Sequence, residues 1–241
     1  MSTELLTALA IASAAGLMRG FAGVGSGMLM APFFVHLFGP VQTVGIIILI
    51  EAAVTVQLLP SVHRDIRWPT ILPIGAAAMV VMPVGSWLLV SLDVAALQVG
   101  VAMVVTVSAA LLLTGWRYDG PRPLWAGLGV GGLSGVLMAV TSLGNPPVML
   151  YLLSSRDDAK TNRANFTGYF ALTLAALIVV MTARGLIGQE VLVTAAVLLP
   201  VFMLAVWIGA KLFSKANEQL YRRVALLILL AAGLYALVRA L

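Results

Sequence analysis

From residue 4 to residue 240 the chain is a succession of apolar segments separated by short polar breaks. They fall at 4–18, 27–38, 41–60, 70–90, 94–114, 123–141, 147–154, 164–183, 190–212 and 221–240. Most are about 20 residues long, enough for a helix to cross a hydrocarbon layer about 30 Å thick. No water pairs with exposed amides in that layer, so only helices and closed barrels span it. A barrel strand alternates apolar and polar residues, and stretches such as AALQVGVAMVVTVSAALLLTG do not. The pattern predicts an all-α polytopic membrane protein. Composition agrees, with 61% of residues hydrophobic and 10% charged, against about 45–50% and about 25% in soluble domains.

Several function classes drop out early. No polar stretch is long enough for a separate soluble domain. The opening MSTELLTALAIASAAGLM has the apolar core of a signal peptide but no basic n-region, and reads as a retained first segment. The absence of cysteine removes disulfides, thiolate metal sites and cysteine nucleophiles. His36 and His63 are too few and too separated for a metal site, and no cofactor is expected. A rhomboid-like GxSG serine with a membrane histidine is missing, as is a pair of intramembrane aspartates, so an intramembrane enzyme is not expected. The net charge of +5 raises the question of nucleic acid. The basic residues gather in short loops between apolar segments, however, which reports membrane orientation instead.

Two of the segments, 27–38 and 147–154, are short, and each follows a break: GFAGVGSG before the first, TSLGNPP before the second. Gly20, Gly23 and Pro32 find counterparts in Gly132, Gly135 and Pro147 if a small insertion is allowed, and Gly85 parallels Gly209. The chain therefore divides into two homologous halves within one membrane domain, 1–118 and 119–241. Each is a broken or re-entrant helical hairpin followed by three transmembrane helices. An odd number of crossings per half makes the halves inverted-topology repeats; a single kinked crossing at each break makes them parallel. The basic loops hold Arg64 and Arg67; Arg117 and Arg122; Arg156, Lys160 and Arg163; and Lys211, Lys215, Arg222 and Arg223. The inverted arrangement places all of these on the cytoplasmic side; kinked crossings move the last two groups across. The positive-inside rule selects the inverted arrangement. The expected location is a bacterial-type inner membrane with both termini outside the cytoplasm.

Irregular backbone survives in hydrocarbon only against protein or a watery cavity. A helix that starts inside the membrane offers unpaired N–H groups and the positive end of its dipole, which suit an anion. Gly23, Gly25 and Gly27 allow unusual φ and close approach, and Ser26 adds a hydroxyl. Pro146 and Pro147 suit the first turn of a helix. The alternative is helix packing, because Gly16/Gly20, Gly23/Gly27, Gly127/Gly131 and Gly131/Gly135 are all small-xxx-small pairs. A nucleotide loop does not fit, since GFAGVGSG follows no strand and lacks GxxxxGK[ST].

Polar residues inside apolar segments are costly and often functional. Glu51, in IIILIEAAVTVQLLP, is the one acid deep in a segment. It is a candidate to carry a coupling proton, with Gln57 obliquely in the same cavity; an ion pair or a polar helix contact is the other reading. Arg19 beside the first break is placed to clamp a sulfonate or carboxylate, or to snorkel to an interface. Thr141, Ser142, Gly144 and Asn145 at the second break are candidate oxyanion contacts, with helix capping the alternative for Asn145. Arg163, in KTNRANFTGYF, is either a substrate contact or a topology charge. Trp68, Trp116, Tyr118 and Trp125 lie near segment ends and read as interfacial anchors. Asp65, Asp119, Asp157 and Asp158 read as acids that balance the basic loops.

GFAGVGSGMLMAPFF resembles the G-x-x-G-x-G-G-G-x-x-x-x-P signature of the TauE/SafE family of sulfite-exporter-like permeases, and SLGNPPVMLYLL resembles that family's second-half G-G-P-P-x-x-L-Y-L-L. PVGSWLLVSLDVAALQVGVAMVVTVSAALLLTG and WIGAKLFSKANEQLYRRVALLILLAAGLYAL, at the ends of the halves, are also similar, so the resemblance covers essentially the whole chain. Ser26 stands where the family usually has glycine, and Asn145 replaces the second glycine of GGPP. The resemblance implies a permease for small anions such as sulfite or organosulfonates, sulfoacetate or taurine-derived acids among them. Alternating access at a midplane site between the repeats is the expected mechanism. A passive anion channel, or a permease for a non-sulfur organic acid, is the alternative. The expected partners are the small anion and the lipid bilayer, not nucleic acid, and a homodimer is left open.

Overall fold

The computed structural model describes residues 3–91, 107, 110, 123–141, 145–153, 157–214 and 227 of the 241-residue chain. The described residues form α1 (Thr3–Ala22), α2 (Ser26–Phe38), α3 (Pro40–Val62), a 3-10 turn at His63–Asp65, α4 (Trp68–Ser91), α5 (Leu124–Thr141), α6 (Asn145–Leu153), α7 (Ala159–Ala183) and α8 (Gln189–Phe213). Apart from positions 107, 110 and 227, the expected segments 94–114 and 221–240 lie outside the described residues. Five helices are long and apolar enough to cross a membrane: α1, α3, α4, α7 and α8. The architecture is that of an all-helical polytopic membrane protein.

The helices stop where local chemistry stops them. Gly23 (φ 77°) and Gly25 (φ 95°) take left-handed backbone between α1 and α2, which a residue with a Cβ adopts only under strain. α3 follows α2 after the single residue Gly39, with Pro40 in its first turn, where a missing N–H costs least. Asp158 caps α7, its carboxylate accepting the Thr161 N–H at 2.7 Å. It therefore does more than balance the loop charge.

α3 and α7 are central. The most apolar stretch of α3 is 61% buried, whereas that of α8 is only 33% buried, so α8 presents most of its surface outward. That outward surface is apolar, as on α4: Val80, Val84 and Trp87, with Leu204 and Trp207 on α8, are exposed. Such a face suits lipid.

α1 and α8 run side by side in the same direction: Gly16 lies against Phe202 and Ala205, and Gly20 against Val206 and Ala210. Gln42, in the first turn of α3, donates to Glu190 in the first turn of α8 at 3.0 Å, so these two helices start at one end of the bundle. α1 starts there too. α2 must return there, because it hands over to α3 through Gly39 alone. The α1–α2 hairpin thus enters and leaves at one end. At the opposite end, Lys160 pairs with Asp65 at 3.0 Å and Arg67 with Asp157 at 2.6 Å. These contacts hold residues 63–67 beside the start of α7. α5 runs parallel to α4, with Gly131 against Ile74 and Gly135 against Ala78. Trp68 and Trp125, which open α4 and α5, therefore lie at this second end, and both are exposed. Trp116 and Tyr118 lie outside the described residues.

The helix pairs are reciprocal. α1 packs on α8 and α5 packs on α4, while α3 crosses α7. A Cβ on Gly16 would meet the Phe202 carbonyl, and one on Gly209 the Leu17 carbonyl; equally, Gly135 faces the Ala78 carbonyl and Gly85 that of Val136. Helix ends match as well: Ala22 and Thr141, Ser26 and Asn145, and the N-caps Gly39 and Asp158 all fall at one constant sequence offset. At that offset Gly135 falls opposite Gly16 instead of Gly23. Gly132 and Gly135 lie inside α5, not at a break.

Candidate functional site

The break between α1 and α2 ends against the middle of α3, and a buried polar cluster holds it there. Arg19, in the last turn of α1, is fully buried. Its Nε donates to Glu51 Oε2 at 2.8 Å, Nη1 to the Gly23 carbonyl, and Nη2 to Thr55 Oγ1 at 3.2 Å. The guanidinium carbon lies 4.4 Å from the centroid of the Phe170 ring on α7, a cation–π distance. Ser26, the first residue of α2, donates its hydroxyl to Glu51 Oε1. Both carboxylate oxygens and all three guanidinium nitrogens of the pair are thus engaged.

The charges match the backbone dipoles at the break. The last carbonyls of α1 form its negative pole. Arg19 takes the Gly23 carbonyl, and Arg163 Nη2 donates to the Gly20 carbonyl at 2.9 Å. Arg163 also lies over the Phe213 ring of α8, 4.7 Å from its centroid. The first amides of α2 form the positive pole, and there the Glu51 carboxylate sits with Ser26. Gly25 is the N-cap of α2 and brings no side chain to it. The Gly23 position is filled closely, since a Cβ there would meet Arg163 Cγ.

A small cavity opens beside the Glu51 carboxylate, lined by Gly27 of α2, Ile48 of α3, Met138 of α5 and Phe170 and Leu174 of α7. It has room for about one water molecule. All but one of its walls are apolar, so Glu51 supplies the local polarity.

Of the residues expected at the site, Arg19, Gly23, Ser26, Gly27 and Glu51 come together, with Gly25 in the turn that joins them and Arg163 bracing it from behind. Gln57 does not join them: it is exposed on another face of α3. Thr141 closes α5 and Asn145 opens α6, but their side chains, with Ser142 and Gly144, lie outside the described residues. His36 and His63 are exposed, and among the described residues no group of acids and histidines is arranged for a metal.

Thr55 and Phe170 were missed. Thr55 was within reach of sequence reasoning, because it lies one helical turn from Glu51 and so on the same face, unlike Gln57 at six residues. Phe170 gave no signal: an aromatic in an apolar segment reads as core. On the α5 side the tie to the bundle is neutral, Ser134 Oγ lying 2.8 Å from the Tyr169 hydroxyl, both buried.

No curated protein and no solved structure matches the chain. A family model described as "Sulfite exporter TauE/SafE" matches residues 8–236. The glycine break at Gly23 and Gly25, the helical architecture and this match over nearly the full length agree: the chain belongs to the TauE/SafE family of membrane transporters.

Proposed function

We propose that this protein is a secondary permease for a small anion, sulfite or an organosulfonate, which it moves by alternating access at a site between two inverted repeats. The observation that carries the reading is the buried cluster at the α1–α2 break, where a helix starts within the bundle beside Arg19, Ser26 and Glu51. Helix starts of this kind, inside a membrane protein and near its centre, serve anionic groups in broken-helix transporters. The reciprocal pairing of α1 with α8 and α5 with α4, and the offset shared by three pairs of helix boundaries, support the inverted repeat. The cavity is too small for sulfite or a sulfonate, as suits a state closed to both sides.

Reconstitution tests it. Proteoliposomes loaded with unlabelled sulfite or sulfoacetate are expected to accumulate labelled anion by counterflow, with saturation. Conductance without counterflow points to a channel instead. No uptake of sulfite, sulfoacetate or related acids under any ion gradient overturns the proposal.

A further inference from the structure

The donors around Glu51 are the donors an incoming anion needs. A guanidinium and a hydroxyl at the start of α2 converge on one carboxylate, and that carboxylate belongs to the protein. We infer that Glu51 is an internal substitute for the substrate, which must be protonated and displaced before an external anion can occupy its place. The inference rests on the anion-permease reading and assigns that site its coupling.

Charge and space both require the exchange. With the pair intact, Arg19 and Glu51 sum to zero, and every Arg19 nitrogen already has an acceptor. Two of those acceptors, the Gly23 carbonyl and the Thr55 hydroxyl, are neutral and cannot be discharged. Glu51 alone can give up its claim, by taking one proton from water. The Glu51 carboxyl is then neutral, the anion supplies the single negative charge beside Arg19, and the local charge returns to zero. The adjacent cavity holds about one water, so a sulfonate fits only in space the carboxylate vacates. Among the described residues, no second titratable group competes for the role. Arg19 is the charged side chain facing Glu51 from α1; Ser26 of α2, Met138 of α5 and Phe170 and Leu174 of α7 are uncharged. Arg163 is turned to Gly20, Tyr169 to Ser134, Glu190 of α8 to Gln42, and Arg67 before α4 to Asp157. A monovalent anion therefore crosses together with one proton, and its transport is electroneutral.

The test uses the purified full-length protein and methanesulfonate, whose charge does not change between about pH 5 and pH 8. Wild-type affinity is expected to rise as the pH falls, because binding takes up a proton. Calorimetry in buffers of different ionisation enthalpy should show one proton taken up per anion bound. Glu51→Gln keeps the shape without the charge, and should bind at every pH with no slope and no proton uptake. Wild-type binding that is independent of pH, or a folded Glu51→Gln that keeps the slope or binds nothing, overturns the inference while leaving an anion permease standing. If Glu51→Gln fails to fold, proton uptake by the wild type decides alone. If the wild type binds neither methanesulfonate nor sulfite at any pH, the permease reading fails, and this inference with it.

Discussion

The Nε of Arg19 lies 2.8 Å from Oε2 of Glu51, with the two side chains 0% and 3% exposed. A pair this dry is held by geometry and supporting hydrogen bonds, because the cost of desolvating both charges offsets much of their attraction. Removing one partner is another matter. Arg19→Ala leaves a carboxylate buried against Ser26 and an apolar wall, and is expected to cost about 3–5 kcal/mol. The variant should melt far below wild type in detergent. The double variant Arg19→Met, Glu51→Gln should recover most of that loss yet transport nothing. Melting of Arg19→Ala at the wild-type temperature would mean that the pair carries no structural weight.

Sequence alone identifies Glu51 as a deep acid and Arg19 as a charge beside the first break, but not their contact. No periodicity links residues on α1 and α3 across a turn of irregular backbone. The same missing contact set the first helix too short. The apolar run ends at residue 18, before a charge, yet α1 continues to Ala22 because Glu51 and Thr55 meet that charge. The break itself was legible, since left-handed backbone at Gly23 and Gly25 leaves a mark in composition. Packing glycines are less legible: those that admit a carbonyl from a neighbouring helix, such as Gly135 against Ala78, look the same in sequence as glycines that turn the chain.

Those packing glycines should respond in pairs. Gly85→Val and Gly209→Val each drive a side chain into a backbone carbonyl of the facing helix, Val136 and Leu17 respectively. Backbone cannot yield as a side-chain tip can, so both variants are expected to lose most of their folded yield, and to similar extents. Gly129→Ala, in the same class of helix but with nothing within 4 Å of a new Cβ, is the control. It should keep full yield and gain up to about 1 kcal/mol from helix propensity. Fluorescence-detected size-exclusion profiles separate these outcomes.

Asp158 supplies a pH test outside the membrane-spanning part. Hydrogen bonds from the Thr161 side chain and backbone hold its carboxyl below the usual range. Its folded value thus lies below its unfolded one, so the cap contributes fully above the unfolded value and fades as pH falls through the folded one. Asp158→Ala is expected to cost about 1 kcal/mol near neutrality. The gap in melting temperature between variant and wild type should close in acid. A gap that persists unchanged into acid would assign the loss to something other than the ionised cap.

The two ends of the bundle can be told apart by labelling, and the chain has no native cysteine to interfere. Asp65 and Lys160 pair at one end, Gln42 and Glu190 at the other. Each pair is bridged near the surface, where such contacts are worth about 0–1 kcal/mol, so single cysteines there should leave the fold intact. Asp65→Cys and Lys160→Cys are expected to react with a membrane-impermeant maleimide from the cytoplasmic side, where the basic loops draw them. Gln42→Cys and Glu190→Cys should react from the opposite side alone. The crucial comparison is Asp65 with Lys160, since the two topologies differ there. If each break were a single kinked crossing, these two positions would label from different sides, and the inverted repeat would have to be abandoned.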